Sequence, residues 1–215
     1  MKKISLALLL AVAVSLAFGF SESKTFTFSS DKTTIVMAEG KEKTVLTGHA
    51  RLTSDSSDIS ADKIELFGKE LRYARCSGNI TVIDSDQGIR IKSENLFYDR
   101  DEKRLVIKGY AEMVDQKNEV VVKGGYFENL SEKETTIIEI GVRILKVSED
   151  TTLTARSEFA LFNRKNNTLE LTGMPVVYRN DSEFKASRIT IDLDTDEIRL
   201  FGKVSGSVSS QEEKK

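Results

Sequence analysis

One cysteine (Cys76), one proline (Pro175), one histidine (His49) and no tryptophan in 215 residues exclude several ways this chain could fold and act. A lone thiol forms no intramolecular disulfide, so stability must come from packing and sheet hydrogen bonds, with Cys76 read as a small buried apolar residue. One histidine and one cysteine supply neither a soft metal cluster nor a Cys–His pair, and the place of His49 directly after Gly48 suits a surface or strand-edge role. There is no phosphate-cradling glycine loop and no nucleophile elbow. "DLDTDE" (Asp192 to Glu197) begins like a calcium loop, but Glu197 stands where the turn glycine is needed and Lys203 where the bidentate glutamate belongs. Neither a metal, a cofactor nor catalysis is expected, although acidic pairs are too frequent to rule on an unrecognised hydrolase. Charge of one sign is also lacking: 32 basic against 34 acidic residues leave no nucleic-acid footprint and no polybasic segment.

A long hydrophobic run occurs only at the N-terminus. "MKKISLALLLAVAVSLAFGFSES" has two lysines, an apolar stretch from Ile4 to about Phe18, and Ala17-Phe18-Gly19 as an A-x-A-like cleavage site, the pattern of a secretory signal peptide over 1–19 with a short leader at 20–24. An uncleaved anchor is the alternative, but a run of about 15 residues is shorter than the roughly 20 needed to span a bilayer. Without Lys2 and Lys3 the exported chain has 30 basic and 34 acidic residues, a charge of about −4.

What is plentiful is Val, Ile, Thr, Phe and Tyr, residues that favour sheet, and they recur with a period. Gly48, Gly78, Gly109, Gly141, Gly173 and Gly202 are separated by 30, 31, 32, 32 and 29 residues, and each lies in a strand-like run such as "RLVIKGYAEMV" (Arg104 to Val114). A second signature follows the first five glycines by 13 to 16 residues: apolar, any, small, any, any, apolar, as in Ile59/Ala61/Ile64, Ile91/Ser93/Leu96, Val122/Gly124/Phe127, Ala155/Ser157/Ala160 and Phe184/Ala186/Ile189. A step of three where a strand needs two reverses the inward parity, as a bulge or bend does. Both strands of each repeat of about 31 residues therefore carry a corner, one marked by glycine and one by the small residue. The fourth unit departs from this, because Ile138, Ile140 and Val142 have the opposite parity relative to Gly141, and a register slip or extra bulge is expected there. Pro175, two residues after Gly173, fits a bulge or an edge.

Links rich in Asp, Asn and Gly, such as "DSDQG" (Asp84 to Gly88), "YDRDEK" (Tyr98 to Lys103) and "NRKNN" (Asn163 to Asn167), suit turns. The pattern predicts an all-β fold: one elongated, open, V-shaped jellyroll over 25–208, built from two bent antiparallel strands per repeat. It has some eleven or twelve strands, is roughly 50 Å long at about 4.8 Å per strand, and ends in a solvated tail at 209–215.

The stretch "FTFSSDKTTIVMAEGKEKTVLTGHARLTSDSSDISADKIELF" (Phe26 to Phe67) resembles the opening of the LptA/OstA-like proteins of lipopolysaccharide transport. The matching elements are Ser30-Asp31, the strand Ile35 to Met37, "LTGHARL" at Leu46 to Leu52 and "ISADKIEL" at Ile59 to Leu66, the last echoed by "IKSENLFYD" and "FKASRITID". The resemblance implies a periplasmic β-jellyroll whose apolar interior shields lipopolysaccharide acyl chains on the way to the outer membrane. It also implies end-to-end joining with similar inner- and outer-membrane transport components, or with further copies of itself. Leaving a 12-carbon chain in water costs on the order of 9 kcal/mol at about 0.8 kcal/mol per methylene, so such a lipid needs shielding. The expected lining of the N-terminal half is Ile35, Met37, Leu46, Leu52, Ile59, Ile64, Leu66, Ile80, Val82, Ile89, Ile91, Leu96, Ile107 and Met113. The same residues would equally form a closed core, and a structural or adhesive β-solenoid or a sugar-acting β-helix remain alternatives. Thr25 to Met37 and Ile198 to Val208 form the two exposed edges, open to strand addition by a partner.

Overall fold

A computed structural model describes residues 27–53, 57–85, 88–116, 119–147, 152–195 and 197–209. The expected signal peptide, the leader, the first residues of the domain and the tail beyond 209 lie outside these residues. Sixteen strands form one sheet: β1 (Thr27–Ser29), β2 (Lys32–Val36), β3 (Lys43–Thr53), β4 (Ser57–Phe67), β5 (Tyr73–Asp84), β6 (Ile89–Asp99), β7 (Arg104–Asp115), β8 (Val120–Leu130), β9 (Thr135–Val147), β10 (Thr152–Asn163), β11 (Thr168–Thr172), β12 (Val176–Arg179), β13 (Ser182–Lys185), β14 (Arg188–Asp192), β15 (Ile198–Phe201) and β16 (Ser205–Ser207). Eight of these, β3 to β10, run unbroken, and the other eight are halves of four passes interrupted at Ser30-Asp31, Gly173 to Pro175, Ala186-Ser187 and Gly202 to Val204. The described residues thus make twelve bent passes, at the upper end of the sequence expectation.

Every pairing is antiparallel. That excludes the β-solenoid and β-helix alternatives, whose coils stack parallel strands. The corners fall on a single line across the sheet. Thr47 pairs with Lys63 and Ala50 with Ala61, so Gly48-His49 stand against Asp62 alone. Gly78-Asn79 oppose Glu94 in the same two-against-one way, and Gly109-Tyr110 oppose Gly125. Each glycine strand thus carries one extra residue, a bulge. Their alignment creases the sheet into two walls, and strands of one wall pair only within that wall. Wall one holds β1, β12, β13, β16 and the crease-to-lip segments 50–53, 57–61, 80–84, 89–93, 111–115, 120–124, 142–147 and 152–157. Wall two holds β2, β11, β14, β15 and the remaining halves.

Gly109 shows what the crease demands, because its φ of 101° is reached cheaply by glycine and at a cost by other residues. The fourth unit meets the same demand differently. Its bulge is in the common place, with Ile140-Gly141 against Glu158, but glycine is second in the pair instead of first. The parity departure therefore reflects an exchanged order and not an additional bulge. Ile140 takes a φ of 67°, an outlying conformation for a β-branched residue. Pro175 follows the bulge pair Gly173-Met174, where no ladder donor is needed.

At the lips, side chains close the turns. Asp99 Oδ1 accepts from the Asp101 and Glu102 amides at 3.0 and 3.2 Å, and Asp192 Oδ1 from those of Asp194 and Thr195 at 3.0 and 2.9 Å. The stretch that resembled a calcium loop is this kind of aspartate-closed turn.

Candidate functional site

The alternation along each pass sends one set of side chains between the walls, where Leu46, Ile64, Ile80, Val82, Leu96, Ile107, Leu171, Val177 and Ile189 are almost fully buried in one continuous apolar cluster. The cluster extends from Leu46 in the second pass to Leu193 after the eleventh, most of the sheet's length. Of the fourteen residues expected to line a trough, twelve sit in it: Leu46, Leu52, Ile59, Ile64, Leu66, Ile80, Val82, Ile89, Ile91, Leu96, Ile107 and Met113. Ile35 and Met37 are exposed. Ile35 stands opposite the inward Thr44, so it is on the inner face of the end pass, where no further strand of the described residues covers it. Phe28, opposite Leu52, is exposed in the same way, and this end of the interior is uncapped among the described residues.

The interior continues through Val120, Val122, Phe127, Ile138, Val142, Ile144, Phe162, Leu169 and Ile191. The expected list covered the N-terminal half, to Met113, and the same alternation in "VVVKGGYFENL" and "TLELT" marks these further positions. The small residues of the second signature, Ala61, Ser93, Ser157 and Ala186, are all buried at the inside of the crease. The Ser93 and Ser157 hydroxyls find no protein partner there, which makes them the polar marks on an otherwise apolar floor.

The mouth is polar. Asp84 and Asp115 end the inward series Ile80, Val82, Asp84 and Ala111, Met113, Asp115, and both are buried, each with interactions of its own. On wall two, Asn129 Nδ2 donates to Thr136 Oγ1 at 2.9 Å, and Arg72 donates to both oxygens of Asp99 at 2.8 and 2.6 Å. The Arg72 hydrogen bond holds the Asp99 carboxyl below its ordinary range. Alternation alone could have identified Asp84 and Asp115; the Arg72 pair joins neighbouring turns and has no short-range signal.

Outside, the crease forms a ridge. At its N-terminal end His49 Nδ1 lies 2.9 Å from Asp31 Oδ2, and that hydrogen bond raises the imidazole above its ordinary pKa. Asn79 Nδ2 donates to Asp62 at 3.0 Å. Cys76 faces the interior, and burial pushes its thiol up to about 12, the state of an unreactive core cysteine. Among the described residues no group of three or more His, Cys, Asp or Glu is placed to hold a metal ion.

Residues 29–133 match the family model described as LptA/(LptD N-terminal domain) LPS transport protein. Among solved structures, the chain is similar to LptH of Pseudomonas aeruginosa, described as the LptA homologous periplasmic component of the conserved lipopolysaccharide transport device. That similarity covers 87% of this chain and 96% of LptH, at 10% identity and a TM-score of 0.30, too loose a superposition to carry weight. No curated protein matches the chain. Residues 29–133, which form the first part of the bent antiparallel sheet that the sequence led us to expect, are thus similar to the LptA/LptD N-terminal-domain family of LPS transport proteins.

Proposed function

We propose that the protein works in the periplasm as a non-enzymatic carrier, holding the acyl chains of lipopolysaccharide or a related glycolipid between its two walls. The observation that carries this reading is the crease. Because no strand pairing joins one wall to the other among the described residues, the walls can part about the bulge line without breaking the ladder hydrogen bonds. The inner side chains then exchange contact with the facing wall for contact with hydrocarbon. At about 0.8 kcal/mol per methylene, a single 12-carbon chain offers on the order of 9 kcal/mol toward that exchange. The polar lip, with Asp84, Asp115 and Asn129, leaves the head group on the wet side.

The two ends of the sheet, uncapped among the described residues, support end-to-end assembly. β2 and β15 each have a single neighbour in wall two, as β1 and β16 do in wall one. The first pass runs from wall one to wall two and the twelfth from wall two to wall one. The first pass of a like-folded domain would therefore lie antiparallel to the last pass of this one, wall against wall, in a head-to-tail contact that does not close.

Native mass spectrometry of protein isolated from its own envelope, with the bound lipid extracted, tests the carrier. The expected result is a glycolipid at near-unit stoichiometry, and a stabilisation of about 2.7 kcal/mol when lipid is supplied at a hundredfold excess over its Kd. Lipid-free protein that takes up no acyl probe would overturn the proposal.

A further inference from the structure

The outer ridge changes character along its length. In the N-terminal half its residues are Asp31, His49, Asp62, Asn79 and Glu94. In the C-terminal half Tyr110, Ile140 and Met174 project from the bulges of β7, β9 and the β11–β12 pass, 62%, 65% and 82% exposed. They stand on alternate passes, so successive tips are about 10 Å apart along a straight line. Ile140 is disfavoured twice, as a β-branched residue at φ 67° and as a large apolar side chain in water, although glycine in the equivalent place serves the other bulges. Strain kept without benefit to folding is a mark of function.

Beside the ridge, the first outward row of wall one is cationic. Lys92, Lys123, Arg143, Arg156 and Lys185 belong to it, against Glu112, which Lys123 pairs at 2.8 Å. Arg143 and Arg156, neighbours across β9 and β10, make no ion pair among the described residues and are exposed. With Lys123 they border a groove of about 570 Å³ that also includes Val121, Leu145 and Tyr178. Glu158, between Ile140 and Met174, turns its carboxylate to the Gly141 amide at 3.3 Å.

We propose that this half of the ridge, with the basic face of wall one, docks on an anionic membrane surface. The apolar tips enter the interface between head groups, and Arg143 and Arg156 meet lipid phosphates. Evenly separated tips flanked by unpaired cations fit a bilayer, whereas a protein partner would call for a clustered, desolvated anchor. The acidic N-terminal half of the ridge is repelled from the same surface, so contact is confined to one half of the molecule.

Sedimentation of the full chain with vesicles of phosphatidylglycerol and phosphatidylcholine, against phosphatidylcholine alone, tests this; every variant keeps the same N-terminus. Wild type should pellet with the anionic vesicles and be released by salt. Arg143→Ala with Arg156→Ala should lower partitioning roughly twenty-five-fold, at about fivefold per cation. Ile140→Gly should lower partitioning severalfold while raising the denaturation midpoint, a combination that a purely structural role for Ile140 does not give. Uptake of a soluble acyl probe should be unchanged in both variants, which separates docking from trough loading. Equal binding to both vesicle types, no binding, or variants that partition like wild type would overturn the proposal.

Discussion

Ile64→Asp should destabilise the protein by about 4 kcal/mol or more, the range reached when a carboxylate is left in a core without a partner. Ile64 is 0% exposed, pairs with Leu46 on β3 and Cys76 on β5, and lies within the cluster between the walls. An aspartate there either takes up a proton or forces the walls apart toward water, and both destroy the packing that holds the folded sheet closed. Ile64→Val removes one methylene from the same place and should cost about 1 kcal/mol. Denaturant titration of the two variants checks this. If Ile64→Asp unfolded at the wild-type midpoint, the inner face would not be packed in the lipid-free protein. If it folded but took up no acyl probe, the same face would be both core and carrier surface.

Gly173→Ala should cost about 3 kcal/mol, while Gly109→Ala costs about 1 kcal/mol. Both glycines have positive φ, 72° and 101°, so any side chain pays the left-handed penalty at either. They differ in what a methyl group would meet. At Gly109 there is nothing within 4 Å, whereas at Gly173 the added Cβ would lie 2.6 Å from Glu158 Cβ and 3.4 Å from Glu158 Cα. Those atoms are fixed to the backbone of β10 and cannot swing aside. Glu158→Gly placed on the Gly173→Ala background should recover the steric part and leave the conformational part, a coupling of about 1–2 kcal/mol in a double-mutant cycle. Purely additive costs would mean that the crease relaxes freely at this point, which would make it a soft hinge.

Period and parity carried most of the fold. The recurring glycines located the bulges, the three-step slip at Ala61, Ser93 and Ser157 located the matching corners, and alternation identified which residues face inward. Parity says which way a side chain points but not what stands opposite. The distance between the walls depends on the crease angle, which no local pattern encodes, so lining and core could not be told apart at Ile64 or Ile91. Ile140 was misleading for a related reason. The sequence suggested a displaced register, but pairing with β8 and β10 held the bulge in place and drove isoleucine into a conformation its chemistry resists, tertiary pairing overriding local preference. Asp84 and Asp115 continue an apolar alternation with a charge, and only their buried place at the mouth gives them a role. The basic row from Lys92 to Lys185 is scattered over five passes and becomes a surface only once the sheet is assembled.

The twelve passes of the described residues have a further consequence for growth. An even count gives the two rims opposite directionality, so each added unit recreates the rim it has just covered, and extension has no built-in stop. Deleting the last pass would leave eleven and present a rim on which the next unit's first strand runs the wrong way. Such a truncated chain should act as a terminator when mixed with the intact one, shortening assemblies in proportion to its share.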